Sequence, residues 1–338
     1  MLALIGSFIL SFLASVVLTK FMRPFLERNG IIALDLHKPE RKKVANSGGI
    51  PVALSIVIGS MFFIAIQTFV YNVTEQTIYL LASALTVILI TLIGFFDDLN
   101  RSDVLKNKRN IREGLKQWQK PLFTLPAAVP LMVVNAGVSV MSIPFIGSVN
   151  FGIFYPLLLI PLGLVGAANA VNLLGGFNGS EAGMGVVYCL ALGLYAFLFG
   201  ETASVALFMS AVGALLGFLI LNRYPAKILS GDSLTYCLGS IVATGVIIGN
   251  IEKMGLLLLA PFVVEFILKA RSKLKASCLG KLREDGKLDP PYGKRIYSIT
   301  HILMNLKPMT EKEVALCLIL MEVVVAAVSF YAVLARII

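Results

Sequence analysis

The chain has 338 residues, of which 57% are hydrophobic and only 14% are charged, and its mean hydropathy is +0.86. This composition excludes an ordinary soluble globular protein and indicates a single integral-membrane domain over residues 1–338. The formal net charge is +10, but the basic residues are concentrated in a few segments between apolar runs, which argues against a nucleic-acid partner.

Apolar segments of about 18–22 residues recur along the whole chain, and each is long enough to cross a bilayer of roughly 30 Å. The sequence therefore predicts an all-α polytopic membrane protein with about ten transmembrane helices. The predicted spans are 2–22, 50–70, 77–96, 121–139, 151–168, 182–200, 203–221, 233–250, 253–269 and 314–335.

The basic residues predict the orientation of these spans. Of the 29 Lys and Arg residues, 26 lie in segments 23–49, 97–120, 222–232 and 269–313, which the ten spans place on one membrane face. The same face carries the loop 169–181. Because cytoplasmic loops are enriched in Lys and Arg, we expect this face to be cytoplasmic and both termini to lie outside. The basic excess also suits anionic substrates and the headgroups of membrane lipids.

The first polar motif, Gly94-Phe-Phe-Asp97-Asp98, ends the third predicted span. Adjacent carboxylates on a helix point about 100° apart, so both seldom ligate one ion unless the helix end distorts. Two close like charges favour a shared proton or hydrogen bond, which would suit a proton acceptor. The alternative is a pair of solvated acids, although carboxylates at a helix C-terminus oppose the dipole and need a cation nearby.

The second motif runs from Asn169 to Gly183 and contains three asparagines, a glutamate and several glycines between two apolar runs. The spacing of three puts Asn169 and Asn172 on one helical face, and Gly175 with Gly176 would open the backbone before Asn178. Amide oxygens can coordinate a hard cation, and glycines let backbone N–H groups approach phosphates. The alternative is interhelical hydrogen bonding or helix capping.

The third motif, from Arg223 to Ser233, lies between the seventh and eighth predicted spans. Gly231 allows a sharp turn that would place Asp232 at the start of the eighth span. Helix capping alone would explain an aspartate there. The same position also lets the carboxylate face a cation while neighbouring backbone donors meet phosphate oxygens.

The fourth set is cationic. Lys120 stands at the entry of the fourth predicted span, where lysines commonly extend to the membrane interface. Arg271, Lys273 and Lys275 follow the ninth span, and a solvated cluster on the cytoplasmic face is the simpler interpretation of each of them.

Taken in order, the three motifs resemble those of the polyprenyl-phosphate N-acetylhexosamine-1-phosphate transferase superfamily, glycosyltransferase family 4. The resemblance rests on residues 94–98, 169–183 and 224–233 and extends from about Arg23 to the last span. Within the superfamily, the chain is most similar to the archaeal and eukaryotic branch, the UDP-GlcNAc–dolichyl-phosphate GlcNAc-1-phosphate transferases. An archaeal cell-membrane protein is therefore expected.

The resemblance implies a ten-helix enzyme, often a homodimer, with its active site on the cytoplasmic face. Such enzymes transfer GlcNAc-1-phosphate, or a related N-acetylhexosamine-1-phosphate, from a UDP-N-acetylhexosamine to a polyprenyl or dolichyl phosphate and release UMP. The reaction uses Mg²⁺, with Mn²⁺ as an alternative. It is the first membrane step of lipid-linked oligosaccharide or surface-glycan synthesis, and the branch favours N-glycosylation.

Roles follow from matching the motifs residue by residue. Asn172 and Asp232 would be the Mg²⁺ ligands, Lys120 would hold the lipid phosphate, and Asp97 with Asp98 would be the catalytic-site carboxylates. The other implied residues form the substrate-binding set: Asn178 at the uracil, Gly175 and Gly176 close to the nucleoside, Asn169 and Glu181 supporting the loop, and Arg271, Lys273 and Lys275 as candidates for the sugar and pyrophosphate.

The chain departs from the family pattern at three places. Leu229 stands where related enzymes place an aromatic residue against the base, and segment 100–119 is longer than in the eukaryotic enzymes. The last loop lacks the histidine triplet of the bacterial peptidoglycan branch, which argues against a MurNAc-pentapeptide substrate.

A transporter or lipid flippase is the alternative from another class of protein. Such a protein would place polar residues near the membrane midplane, accessible from both sides. In this sequence the polar motifs cluster at one face, which favours the enzyme.

Overall fold

The computed structural model describes residues 1–40, 42–74, 76–106, 115–116, 118–143 and 147–335, with only the backbone described at 101–106 and 334. Much of the predicted loop 97–120, residues 107–114 and 117, therefore lies outside the described residues. The α-helices in the described part are α1 (Leu2–Arg28), α2 (Gly49–Phe69), α3 (Thr77–Lys106), α4 (Gln119–Thr124), α5 (Val129–Val133), α6 (Ile160–Val171), α7 (Ser180–Leu198), α8 (Thr202–Asn222), α9 (Gly231–Ile248), α10 (Glu252–Leu258), α11 (Ala260–Ala270), α12 (Ile299–Leu306) and α13 (Glu311–Leu334).

Among the described residues, seven helices are long and apolar enough to cross a membrane, judged by length and composition. They are α1, α2, α3, α7, α8, α9 and α13. They match seven of the ten predicted spans. The predominantly helical membrane architecture is thus confirmed, and the number ten remains a prediction.

The other three predicted spans are built from short helical pieces. The fourth comprises α4, a 3₁₀ turn over Leu125–Ala128 and α5, the fifth joins a π-helical turn over Tyr155–Leu159 to α6, and the ninth comprises α10 and α11. Each piecewise segment contains proline at a junction, with Pro126, Pro130, Pro156, Pro161 and Pro261 at first or second helical positions. Proline has no backbone N–H and clashes with the preceding turn, so it interrupts a regular helix.

Helix α3 is longer than the sequence predicted. It continues past residue 96 to Lys106 because neither glycine nor proline interrupts the segment after Gly94. Asp97 and Asp98 therefore lie inside a helix and not at its end. Their side chains diverge as expected for neighbours on a helix.

In the described part of the chain, three small antiparallel sheets supplement the predicted all-α fold. Strand β1 (Ile32–Leu34) pairs with β2 (Lys43–Ala45), and β3 (Val140–Ile143) pairs with β4 (Gly147–Asn150). In the last loop, β5 (Lys281–Leu282), β6 (Lys287–Asp289) and β7 (Met309–Thr310) form a three-stranded sheet. These strands lie in segments that hydropathy assigned to loops, because pairs of two to four residues leave no periodic pattern to detect.

Helix α9 forms the centre of the bundle and is almost entirely buried. It packs against α3 and α6, where small residues allow the backbones to approach closely. A Cβ on Gly239 would lie 2.4 Å from the Cα of Ala168 in α6. A Cβ on Gly94 of α3 would lie 2.5 Å from the carbonyl oxygen of Asp232 at the start of α9. These close approaches bring the polar residues of α3 next to the C-terminal end of α6 and the start of α9.

The loops predicted to share one membrane face meet at one end of the bundle. The N–H of Leu229 donates to the carbonyl of Ala45 at 2.8 Å, and the Lys269 ammonium donates to the carbonyl of Leu173. At the opposite end, the hydroxyl of Tyr155 donates to Glu252 at 2.6 Å. All the polar motifs therefore lie at the same end.

Candidate functional site

Asp98 is a fully buried carboxylate that caps α9 from a neighbouring helix. Its Oδ1 accepts the backbone N–H of Asp232 at 2.8 Å and the side-chain amide of Asn46 at 3.2 Å. Its Oδ2 accepts the hydroxyl of Ser47 at 2.9 Å and the backbone N–H of Ser233 at 3.2 Å. Asp98 thus pairs two of the N–H groups that a helix start leaves without intrahelical partners, and it complements the helix dipole.

The alternative that Asp232 caps α9 is wrong. The helix begins at Gly231, with Ser230 at the cap position, so Asp232 lies in the first turn. Gly231 has a φ of +67°, and a Cβ there would lie 2.3 Å from Oδ2 of Asp98. The glycine therefore supplies both the turn and the space for the Asp98 cap. The Asp232 carboxylate contacts Lys120 instead.

Lys120 is the charged centre of the site, and only 4% of it is exposed. Its Nζ lies 2.7 Å from Oδ2 of Asp232 and 2.8 Å from Oδ2 of Asp97. Oδ1 of Asp97 also accepts the backbone N–H of Leu115 at 2.8 Å. A buried ammonium needs paired carboxylates, because removing an unpaired charge from water is very costly. The alternative of a lysine extending to the interface is therefore wrong for this structure.

Asn172 and Asn169 both face this centre from the end of α6. Oδ1 of Asn172 accepts the hydroxyl of Thr235 at 2.8 Å, and its Nδ2 lies 3.4 Å from Oδ2 of Asp232. Nδ2 of Asn169 donates to the hydroxyl of Thr124 at 3.2 Å. The shared helical face predicted for the two asparagines is thus consistent with their partners on α9 and α4.

Asn172 and Asp232 are the pair whose chemistry fits a divalent cation. The amide of Asn172 and the carboxylate of Asp232 adjoin where α6 ends and α9 begins, with Nδ2 of Asn172 3.4 Å from Oδ2 of Asp232, and each side chain carries a hard oxygen donor. Mg²⁺ commonly binds through one or two protein ligands and keeps its other positions for water and phosphate oxygens. Within the described parts of the chain, no group of three or more His, Cys, Asp or Glu side chains is arranged to hold a metal. The donor set therefore suits an open cation site and not a closed cage.

The glycines of the asparagine motif are held by Glu181. The backbone N–H of Gly176 donates to Oε1 of Glu181 at 2.6 Å, and Gly176 has a φ of +95°. A Cβ on Gly175 would lie 2.7 Å from the same oxygen. The Gly175 carbonyl also accepts the thiol of Cys278 at 2.9 Å, which ties the motif to the last loop. Glu181 thus contacts the loop from within the protein, and its role in binding substrate remains a prediction.

Asn178 is gripped by two carboxylates that the sequence analysis did not single out. Its backbone N–H donates to Oε1 of Glu311 at 2.8 Å. Its side-chain Nδ2 donates to Oδ2 of Asp35 at 3.0 Å. Asn178, Glu311 and Asp35 are all buried. The predicted uracil-binding residue therefore lies between the first basic loop and the start of the last helix.

Lys38 holds these two carboxylates together. Its Nζ pairs with Glu311 and lies 3.5 Å from Asp35, while its charge sits 3.9 Å from the ring centroid of Tyr224. Beside it, the ring of His37 stacks on Phe177 with 4.9 Å between centroids. We term Asp35, His37, Lys38 and Glu311 the Asn178 clamp.

The clamp was missed because its parts look ordinary in the sequence. Lys38 and Glu311 are 273 residues apart, and an acidic residue in the first turn of a helix is a common dipole partner. The local signal is the run Asp35-Leu-His-Lys38. It lies in a loop whose basic residues are already explained by the orientation of the membrane spans. Its burial becomes visible only in three dimensions.

The three predicted cations of the last loop lie at the surface, whereas Lys120 is buried. Arg271, Lys273 and Lys275 are exposed. Lys275 helps line a cavity of about 460 Å³, whose other lining residues are Ser272, Ala276, Tyr292, Arg295 and Tyr297. The structure thus assembles a basic and aromatic groove in this loop. The roles of the three cations in binding substrate remain predictions.

His301 is buried in α12. Its Nδ1 accepts the N–H of Tyr297 at 3.2 Å, and its Nε2 lies 2.9 Å from the carbonyl of Ser277. The neutral tautomer with a proton on Nε2 satisfies both contacts. Burial lowers the pKa of His301 below its ordinary value of 6.5.

Comparison with known proteins connects this geometry to one family. The profile described as Glycosyl transferase family 4 matches residues 79–250. A protein of Saccharolobus solfataricus, provisionally named a UDP-N-acetylglucosamine–dolichyl-phosphate N-acetylglucosaminephosphotransferase, is 32% identical over 97% of this chain and 96% of the relative. A phospho-N-acetylmuramoyl-pentapeptide-transferase of Halalkalibacterium halodurans is 35% identical over 78% of this chain and 80% of the relative.

Proposed function

Because the chain belongs to glycosyl transferase family 4, we propose that it transfers N-acetylhexosamine-1-phosphate from a UDP-sugar to a polyprenyl phosphate and releases UMP. The observation that carries this proposal is the buried Lys120 between Asp97 and Asp232, beside the amide of Asn172. The names of the archaeal relatives favour GlcNAc as the sugar and dolichyl phosphate as the acceptor.

Asn172 and Asp232 would hold Mg²⁺, with Mn²⁺ as an alternative that suits the same oxygen donors. When bound, the cation would offset the charge of the nucleotide pyrophosphate. The other positive charge belongs to Lys120. Its contacts with Asp97 of α3 and Asp232 of α9 fix the position of the ammonium. An incoming lipid phosphate would meet this buried positive charge with little water around it.

In this reaction the lipid phosphate attacks the β-phosphorus of the UDP-sugar in line, and UMP leaves with the electrons of the broken phosphoanhydride bond. The bond between the sugar C1 and its oxygen is not broken, so the anomeric configuration is kept. A phosphate monoester is largely ionised near neutral pH, so the attack needs little help from a general base. The work of the protein is mainly to position two anions and neutralise their repulsion.

We favour this single displacement over a covalent aspartyl-phosphate intermediate. Both oxygens of Asp98 accept hydrogen bonds from the protein, and its cap on α9 would be lost if it were phosphorylated. Asp97 is engaged by Lys120 and by the N–H of Leu115. These contacts give both carboxylates positioning work.

The expected setting is a cell membrane with the site on the cytoplasmic face and both termini outside. This arrangement follows from the basic loops and requires the three piecewise segments, Gln119–Val133, Tyr155–Val171 and Glu252–Ala270, to complete a ten-span bundle. A homodimer and a role in starting lipid-linked glycans for N-glycosylation complete the proposal.

The deciding experiment measures UMP release by the purified protein with UDP-GlcNAc, a polyprenyl phosphate and Mg²⁺. We expect release that depends on the cation and on both substrates and falls by roughly a thousandfold in Asp232→Ala. A folded wild-type protein that binds the lipid but never releases UMP would support a transporter or flippase instead. Mass spectrometry of the lipid product across a panel of UDP-sugars would identify the sugar.

A further inference from the structure

We propose that the Asn178 clamp makes this residue an obligate hydrogen-bond acceptor and thereby selects uracil over cytosine. The inference rests on the proposed function, in which Asn178 meets the base of the nucleotide. Asp35 and Glu311 act here as positioning residues, because they work through Asn178 and not on the reacting atoms. The clamp assigns specificity to two residues outside the three sequence motifs.

Both nitrogen donors of Asn178 are already used inside the protein. The backbone N–H points to Glu311 at 2.8 Å, and the side-chain Nδ2 points to Asp35 at 3.0 Å. Among the described residues, none donates a hydrogen bond to Oδ1 of Asn178. The side chain therefore offers a ligand an acceptor.

Asp35 prevents the amide from turning over. If Asn178 rotated its amide by half a turn, Oδ1 would replace Nδ2 about 3 Å from a carboxylate oxygen, and two acceptors would face each other. A buried acceptor pair of this kind loses its hydrogen bond and adds repulsion. Only the orientation with Nδ2 toward Asp35 satisfies both side chains.

The orientation matters because uracil and cytosine differ at the ring atom N3. Uracil carries a hydrogen on N3 and donates, whereas neutral cytosine has a lone pair there and accepts. Oδ1 of Asn178, held in this orientation, would accept the N3–H of uracil and would oppose the N3 lone pair of cytosine. A site that leaves a buried polar group unpaired rejects the wrong ligand strongly.

The carboxylates are themselves held in place. Lys38 pairs with both Asp35 and Glu311, so the two oxygens that grip Asn178 share one ammonium. His37, stacked on Phe177 next to Asn178, lies with its Nδ1 3.7 Å from Oε1 of Glu311. Asp35, His37 and Glu311 are thus buried, and Lys38 joins the two carboxylates. These contacts limit the positions that Asn178 can adopt.

The test compares the binding of UMP and CMP to the purified full-length protein in detergent with Mg²⁺, which requires no turnover. In Asp35→Asn the neutral partner can accept or donate, so either orientation of the Asn178 amide is satisfied. We expect UMP affinity to fall by roughly tenfold while CMP affinity holds or rises, so that the UMP preference narrows by at least that factor.

Two further variants separate specificity from folding. Glu40→Gln is the matched control: it removes a carboxylate from the same loop, but Glu40 is exposed, and its ion-pair partner among the described residues is the surface residue Lys42. It should keep the wild-type UMP and CMP affinities. Glu311→Ala removes the acceptor of the backbone N–H of Asn178 and leaves its amide held by Asp35, so it should weaken the binding of both nucleotides by a similar factor.

The outcomes distinguish this inference from the proposed function. A wild-type protein that binds neither nucleotide and releases no UMP would refute the function itself. A wild-type enzyme with normal UMP release, together with an Asp35→Asn variant that binds UMP and CMP in the wild-type ratio, would overturn the clamp alone. If Asp35→Asn does not fold, Asp35→Glu supplies the test, because a retained but longer carboxylate should lower UMP affinity with the preference for UMP intact.

Discussion

Among the described residues, two clusters each join two buried carboxylates through one lysine, and both contact the asparagine motif. Lys120 contacts Asp97 and Asp232, whereas Lys38 contacts Asp35 and Glu311. The surroundings differ. The first cluster adjoins the amide of Asn172 and the start of α9, and the second surrounds the backbone and side chain of one loop residue.

This difference indicates that the same ionic arrangement serves two purposes. Around Lys120, charges from α3, α4 and α9 converge beside the end of α6, where the proposed function would bind phosphate groups and a cation. Around Lys38, both carboxylates accept hydrogen bonds from Asn178 and so define its orientation. Under the proposed function, the Lys120 cluster would supply charge to the reaction, and the Lys38 cluster would fix the geometry of the loop that meets the base.

The largest effect should come from neutralising the two lysines separately. Lys120→Met should reduce the turnover rate by roughly a hundredfold to a thousandfold, because it removes the buried charge that meets the phosphates. Lys38→Met should raise the KM for the UDP-sugar by about tenfold and leave kcat nearly unchanged. Steady-state UMP release at varied concentrations of both substrates gives these values. If the two variants change the same kinetic parameter, the functional distinction between the clusters is refuted.

A smaller effect is expected from Gly231→Ala, with Gly200→Ala as its control. Both glycines have positive φ, +67° and +77°, so alanine strains the backbone similarly at the two sites. Only at Gly231 would the new Cβ collide with Asp98, since nothing lies within 4 Å of a Cβ on Gly200. Displacing the Asp98 cap should move Asp232 and reduce activity by roughly tenfold more than the control. Equal losses of activity in both variants would refute the special role of the cap.

The smallest expected effect is on the pH dependence of stability, through His301 in the last loop. Because the pKa of His301 is lowered in the folded protein, the unfolded chain binds more protons near and below pH 6.5. The contribution of His301 to stability is therefore complete above that pH and is lost as the pH falls through the lowered value. The thermal unfolding midpoint of the wild type should drop by a few degrees between pH 7.5 and pH 5. His301→Gln should show a smaller drop, and an identical pH profile in that variant would contradict the prediction.

Asp97, Asp98 and Asp232 could be singled out from the sequence because they belong to compact motifs. Runs such as Gly94–Asp98 and Tyr224–Ser233 place several polar residues at apolar boundaries, where each is costly and therefore noticeable. The family expected from these motifs is confirmed by the matched profile and by the relatives. The length of α3 and the Asp98 cap could not be predicted, because both depend on contacts between α3 and α9.

The Asn178 clamp shows why the remaining part of the site escaped prediction. Hydropathy locates polar residues along the chain but says nothing about which distant loops touch. Asp35 and Lys38 belong to a basic loop, and Glu311 begins a helix, so each had a sufficient local explanation. Similarly, the prolines that divide three predicted spans are visible in the sequence, but hydropathy averaged over a window does not register them.

The pairing of Lys38 with Glu311 also has a consequence for biosynthesis. A membrane protein is inserted from its N-terminus, so the first loop, the asparagine motif and most of the bundle are in place before α13 leaves the ribosome. Until Glu311 arrives, the N–H of Asn178 and the ammonium of Lys38 lack their buried partner. The loop around Asn178 can therefore reach its final form only after α13 has been inserted, and under the proposed function this couples the onset of nucleotide selectivity to the insertion of that helix.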